Sequence, residues 1–444
     1  MSQSIAQKFT PISFLKFSLP SIIMMAFLSF YTIIDGIFIS RYVGSNALSA
    51  SNIVYPVINI LLAIAVMIAS GGNAVISKKL GEGKIQESKD NFSFFIVTGL
   101  AASIILLVIT IAFLTPICKL LGASDLLLPY CKEYLRTTIL FAPATMLQAL
   151  FQTLLVTAGK PHLGLILTVL GGITNAVLDY LFMGPLGLGV TGAALATGIG
   201  QLIPAIAGMI YFYLVKGDLH FVRFTLDFKS LRQACLNGSS EMVTNLSNAV
   251  VTLLFNLVMM RLVGEAGVAS ITIILYAQFL FNSMYMGFSM GAAPIIGFNY
   301  GSKNKTELQN IYKICTRFIL GASILIAALS FCLADLIVRF FVTPDSDTYA
   351  LALTGFRIFS ITYLFSGFNI FSSSLFTALS DGKTSAIISF TRTFLCIVIS
   401  LLVLPMLLGI NGVWLAIPIA EFIAAIECLS FLKQKNHIYG YMVK

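Results

Sequence analysis

Charge is what this sequence has least of. Of its 444 residues only 10% are Asp, Glu, Lys or Arg, while 58% are hydrophobic and the mean hydropathy is +0.95. A soluble domain carries roughly a quarter charged residues, because a surface facing water has to be hydrated. This chain cannot cover such a surface. Histidine is scarcer still: His162, His220 and His437 have no metal-ligand spacing and no Asp-paired spacing. The seven cysteines, at 118, 131, 235, 315, 332, 396 and 428, form no CxxC pair. That pattern excludes a zinc cluster and a disulfide framework, and points to reduced cysteines scattered through a core. No nucleophile elbow or phosphate-binding loop occurs either. An enzyme is therefore not expected, and no metal centre or cofactor with it.

Long apolar runs are what the sequence has in plenty. They predict membrane spans at 14–40, 46–72, 92–115, 134–157, 163–184, 190–214, 234–261, 267–294, 312–340, 354–379, 385–408 and 411–432. Twelve spans of ~20 residues consume about 240 residues, which leaves only short loops and no room for a catalytic or nucleic-acid-binding domain. Lys8 and Lys16 precede a run that ends in Arg41 instead of a small-residue cleavage site, so the first span is expected to stay in the membrane. An even number of spans puts both termini on one side. Eighteen Lys and Arg fall on that side, among them Lys8, Lys16, Lys78, Lys79, Lys216, Arg223, Lys433 and Lys444. Six fall on the other: Arg41, Lys119, Lys132, Arg136, Arg261 and Arg339. Cytoplasmic loops carry the excess of basic residues, so both termini are expected in the cytoplasm of a multi-pass plasma-membrane protein. The net charge of +9 is then a signal of topology, with lipid and not nucleic acid as the partner.

The chain also repeats itself. At a shift of 220, RYVG at 41–44 falls on RLVG at 261–264, Gly71 on Gly291, Gly81 on Gly301, and PLGLGVTGAALA at 185–196 on PMLLGINGVWLA at 405–416. Arg136 meets Arg357 at 221 and the GK at 159–160 meets that at 382–383 at 223. Six spans repeated in the same orientation predict an all-α membrane protein of two six-helix lobes, related by a pseudo-two-fold axis along the membrane normal. The expected lobes are 1–213 and 233–444, joined by a polar linker at 214–232. Two rigid lobes around a shared cavity can rock, which is the architecture of an alternating-access transporter.

The segments GFSMGAAPIIGFNYGSK at 287–303, ASGGNAVISKKLGEGK at 69–84 and YTIIDGIFISRYVG at 31–44 resemble the multidrug and toxic compound extrusion (MATE) family. The resemblance runs over essentially the whole chain. It implies a V-shaped pair of lobes that exports bulky amphipathic or cationic organic compounds against an inward flow of H⁺ or Na⁺. A lipid-linked oligosaccharide or lipid flippase of the same wider superfamily is the alternative; such proteins usually place basic residues in the cavity, whereas the intramembrane charge of the first lobe is acidic.

Each ionisable residue inside a span costs at least ~2.5 to 3.5 kcal/mol on insertion scales and needs a reason. Asp35 lies six residues before Arg41, and Asp179 five before the end of span 5, so the two carboxylates share a level in one lobe. Asn175 is one helical turn from Asp179, and Thr197 lies about as far past the 5–6 turn. Oxygen groups converging in this way suit a proton held between carboxylates, or Na⁺ at Asp35, Asn175, Asp179 and Thr197. The same four positions match an acid in span 1, an Asn and Asp four apart in span 5 and a Thr in span 6 of archaeal-type MATE members. Tyr31 is expected to face that space, and Pro20 can kink span 1.

In the second lobe the repeat places Phe255 at the position of Asp35 and apolar residues or Ser400 at that of Asp179. Its charges lie elsewhere. Arg392 and Glu427 are about equally far from the 11–12 turn, which predicts an ion pair between them. Glu241 is read as an inner-end polar contact or as a cation or substrate contact. Gln148, Gln152, Gln278 and Asn282 are candidates either for cavity lining or for hydrogen bonds between helices. The substrate is expected to be a small molecule, and the protein is expected to act as a monomer.

Overall fold

In hydrocarbon a backbone must satisfy its N–H and C=O groups internally, as a helix or a closed barrel. Continuous apolar runs of about 20 residues or more fit helices and not the short alternating strands of a barrel. The computed structural model describes residues 3–442, and Lys444 of the basic count falls outside the described residues. All regular structure among them is helix. Spans 1 to 6 are Pro11–Val43, Ser45–Gly81, Ile85–Ala112, the pair Leu128–Leu140 and Ala142–Thr157, Pro161–Met183, and Gly189–Leu214. Spans 7 to 12 are Phe228–Leu262, Glu265–Gly301, Lys305–Cys332, Asp347–Ala378, Gly382–Leu408 and Ile410–Tyr439.

Three features depart from the sequence reading. Span 4 is broken at Phe141, with a bend of 50° between its two pieces. Span 9 ends early and is followed by a separate short helix, Ala334–Phe341, that the apolar pattern had merged with it; span 3 ends at Ala112, near its expected end, and a short helix Leu114–Leu120 follows where a loop was expected. Spans 2 and 8 are each 37 residues long, about 55 Å at helical rise. They outrun the ~30 Å of hydrocarbon and project toward the face that carries the termini, where Lys78 and Lys79 sit in the last turn of span 2.

Spans 1 to 6 pack mainly on one another, as do spans 7 to 12, and the halves meet through spans 1 and 8, 2 and 7, and 2 and 8. Glycine makes that meeting close. A Cβ on Gly71 would lie 1.8 Å from the carbonyl oxygen of Ala234, and one on Gly238 only 1.9 Å from that of Met67. Gly81 stands in the same way against Phe298, Gly301 against Lys78, and Gly287 against Ser21. All these contacts lie toward the terminal face and form a seam of backbone on backbone. Toward the opposite, far face the same spans are looser: Tyr55 of span 2 and Tyr276 of span 8 are 47% and 46% exposed.

The segment before span 1 crosses to the other half. The backbone N–H of Phe9 donates to Glu307 of span 9 (2.9 Å), and Asn310 donates to the Phe9 carbonyl (2.9 Å). The linker stays on the half it leaves, with Val222 bonded to Ser93 and Phe221 and Phe224 packed on Phe92 and Phe94.

Candidate functional site

Span 1 starts sharply. Thr10 and Ser13 cap each other's backbone, and Pro11 takes the first helical position, where no N–H partner is needed. From that start the helix carries Tyr31 and Asp35 toward the far face. Two adjacent glycines in span 5 then bring three helices together. A Cβ on Gly171 would meet the Gly200 carbonyl of span 6 at 2.7 Å, and one on Gly172 would strike the Phe27 ring of span 1 at 2.4 Å. One turn beyond this crossing, Asn175 lies against Gly200 and donates to Thr197 (3.4 Å). One turn farther, Asp179 is fully buried, and its carboxyl comes within hydrogen-bonding reach of Asp35.

No protein donor reaches either oxygen of Asp179 or Oδ1 of Asp35. Two carboxylates that face each other without donors repel, so this arrangement needs a proton between them or a cation touching both. Below them a narrow cavity is lined by Tyr31, Gln148, Thr168, Asn175, Thr197 and Gln201. The donor set around the pair is oxygen only, which suits a hard cation.

Comparison with known proteins gives this geometry a context. The MatE family model matches residues 20–181 and 242–402, the two halves separately. The chain belongs to the MatE family. Relatives of this MatE chain include the multidrug export protein MepA of Staphylococcus haemolyticus, 27% identical over 93% of this chain and 90% of that one. MepA of Staphylococcus aureus is 25% identical over 94% and 92%. A crystal structure of MATE in complex with MaD3S matches the fold with a TM-score of 0.92 at 21% identity, covering 99% of this chain and 98% of that one. An outward-facing multidrug resistance MATE family transporter of the MOP superfamily matches equally well, at 0.92 and 21% over 98% and 97%.

The structure sorts the remaining candidates of this MatE chain. Tyr31 and Gln148 line the cavity with Asn175 and Thr197. Gln152 does not; it is buried and donates to Thr168 (3.0 Å), so it braces the wall from behind. Gln278 and Asn282 sit on span 8, outside that cavity, and Oδ1 of Asn282 is buried without a partner. Glu241 lies within electrostatic reach of Arg392.

The ion pair between Arg392 and Glu427 is not formed. Arg392 pairs with Glu421 (3.7 Å), whose carboxylate also accepts from Asn369 (2.6 Å). Thr391–Leu395 is a π-helical turn. The extra residue in that turn rotates Arg392 off the face that counting along a straight helix assigned to it. Glu427 interacts with Thr391 instead.

Two residues of the first-half site escaped sequence reasoning. Tyr134, buried in the upper piece of span 4, lies within electrostatic reach of Asp35 and Asp179, and Gln201 lines the cavity while bonded to Thr145. Both are uncharged; Pro143, in the first turn after the break at Phe141, was the one signal that span 4 is not a straight helix. All seven cysteines are free, with Cys118 and Cys131 buried near the far face.

Proposed function

We propose that the chain exports amphipathic or cationic organic compounds in exchange for H⁺ or Na⁺, by alternating access of two lobes, 1–213 and 233–444, about the seam between them. The observation that carries this reading is the pair Asp35 and Asp179: two carboxyls from different spans, one fully buried, facing each other without donors at the head of a polar cavity. Asp35 and Asp179 take up the proton, or with Asn175 and Thr197 the sodium ion. The cavity lined by Tyr31 and Gln148, about 10 Å³, has room for a water or a bare ion, so the compound needs wider space opened between the lobes. Binding a cation removes the repulsion between the carboxyls, so it favours whichever arrangement of the helices brings them together. A ligand shifts a conformational equilibrium only through such a difference in affinity.

The terminal face is cytoplasmic in this reading, because eighteen of the basic residues lie there. With the seam closed and the opposite ends of spans 2 and 8 exposed, the conformation described is the one open to the outside. The protein works as a monomer, since each coupling residue comes from one chain. A lipid-linked flippase is disfavoured because the first-half cavity has no basic residue in its lining and two carboxyls beside it, which would repel a diphosphate.

Proteoliposomes loaded with a fluorescent organic cation test the reading, with the pH gradient and the Na⁺ gradient imposed separately. Transport driven by one gradient is expected and names the ion. Transport that runs equally well with both gradients collapsed removes cation coupling.

A further inference from the structure

A second concavity lies outside the helix bundle, on the far face of the first half. It is a groove of about 500 Å³ between the helix Leu114–Leu120 and the upper piece of span 4, within the range of small-molecule sites. Leu114, Leu128 and Leu140 form its apolar wall, and Lys132 and Arg136, one helical turn apart, line its polar side. Neither cation is held in an ion pair. Glu133 also lines the groove, but its carboxylate accepts from the Thr191 hydroxyl at the start of span 6. The surroundings are apolar and exposed: Phe113, Leu120 and Leu140 present 58%, 87% and 56% of their surface. In a membrane protein such a rim faces lipid, and the paired cations stand at the end of the span, at the level of the headgroups.

The repeat supplies a control within the same molecule. At a shift of 221, Leu128 falls on Tyr349 and Arg136 on Arg357; Leu114 and Ala334 open the matching short helices, so Asp335 stands one residue past the counterpart of Leu114. There Tyr349 donates to Asp335, Asp335 pairs with Arg339 (2.8 Å), and the guanidinium of Arg357 lies over the Phe331 ring (5.8 Å). The second half closes the groove with its own polar side chains and neutralises its cations. The first half has no acid on its short helix, keeps Leu128 where the second half has Tyr349, and adds Lys132 where the second half has Leu353. A groove with an apolar floor, two uncommitted cations and a lipid-facing mouth lacks an anion that carries hydrocarbon.

We propose that this groove is a binding site for an anionic phospholipid of the far-face leaflet, its phosphodiester between Lys132 and Arg136 and the start of an acyl chain along Leu114, Leu128 and Leu140. The phosphate accepts from both cations, while the chain fills space that Tyr349 and Asp335 occupy in the other half. The site is distinct from the cavity of Asp35 and Asp179, and it holds whichever ion drives transport.

Native mass spectrometry of the purified full chain, in micelles with equal amounts of phosphatidylglycerol and phosphatidylcholine, tests the site. Phosphatidylglycerol adducts are expected to exceed phosphatidylcholine adducts several-fold, and the excess should fall to parity in Lys132→Gln with Arg136→Gln. Leu114→Asp with Leu128→Tyr, which plugs the groove with an acid and a tyrosine and keeps both cations, should lose the excess as well, whereas Arg339→Gln in the plugged groove should keep it. Melting curves in phosphatidylcholine alone verify that each variant is folded; the glutamine pair, on a solvent- and lipid-exposed face, carries the test if the plug variant is not. Millimolar inorganic phosphate should leave the adducts in place. An excess that persists in the glutamine variant, or one that inorganic phosphate alone abolishes, overturns the proposal.

Discussion

At equivalent places the two halves of this protein treat a polar pocket in opposite ways. In the first half Gln148 and Gln201 line a cavity beneath two unpartnered carboxyls. The repeat puts Asn369 and Glu421 at those positions, and there the space is filled: Asn369 donates to both the backbone and the side chain of Glu421, and Arg392 reaches in from span 11. Where the first half carries Asp35, the second carries Phe255, which is fully buried. A duplicated bundle thus leaves one copy of a pocket open and fills the other. Glu421 in the second half has a cation and an amide against its carboxylate; Asp179 in the first half has neither.

The sharpest break of that comparison is Asp35→Asn. The amide keeps size and hydrogen bonding but cannot take up a proton or offer full charge, so coupled efflux from proteoliposomes is expected to fall to the level of empty vesicles while expression and helix content hold. Asp179→Asn should be nearly as damaging. Efflux close to wild type in either variant would remove the pair from the mechanism. The converse change, Phe255→Asp, should give no second coupling site and should instead weaken the fold by roughly 2.5 to 3.5 kcal/mol, the cost of a charge in a span.

Next in size is the filled pocket. Arg392→Leu alone strands the Glu421 carboxylate, and losses of about 3–5 kcal/mol are usual for one partner of a buried pair. Thermal unfolding in detergent should register it. Replacing Arg392 and Glu421 together with apolar residues should recover most of the stability, and the ion specificity of transport should not change. A double variant as unstable as the single ones would show that the pair does more than fill space.

The smallest expected effect concerns Asp381, whose counterpart at a shift of 223 is Ala158. Asp381 caps span 11 through Thr384 and binds Tyr439 and Lys435 of span 12. Burial pushes its carboxyl up, but the hydrogen bonds from Thr384, Tyr439 and Lys435 outweigh that and hold it below the usual carboxylate range. A carboxyl lowered in this way contributes stability above its unfolded pKa and loses it as the pH falls through the lowered value. Asp381→Asn keeps a cap on span 11 but loses the oxygen that accepts from Thr384, Tyr439 and Lys435, so it should cost about 1 kcal/mol at neutral pH and melt less steeply than wild type on acidification. Equal acid dependence in the two proteins would place the titrating group elsewhere.

Much of this was legible in the sequence, and the reasons can be traced residue by residue. Span number and the repeat follow from apolar runs, because runs that long and continuous cross a bilayer as helices. The convergence of Asp35, Asn175 and Thr197 could be counted from the turns, because spans 5 and 6 are regular helices held together at Gly171 and Gly200. Counting failed where a helix is irregular: the π turn at Thr391 moved Arg392 from Glu427 to Glu421, and the break at Phe141 turned Tyr134 toward the carboxyls. The crossing of the segment around Phe9 to the opposite half was hidden as well, since Glu307 is an ordinary first-turn acid by composition.

The glycine seam has an electrical side. Backbone packed on backbone admits neither water nor ions, so the closed terminal half is the resistive layer of the molecule and most of the membrane potential falls across it. Each elementary charge moved through that layer is worth ~2.3 kcal/mol per 100 mV. In the proposed mechanism Asp35 and Asp179, on the far side of the seam, would take up their cation near the potential of the far-side bath. Voltage then does little to binding and acts on the step in which the seam parts and the loaded pair changes sides.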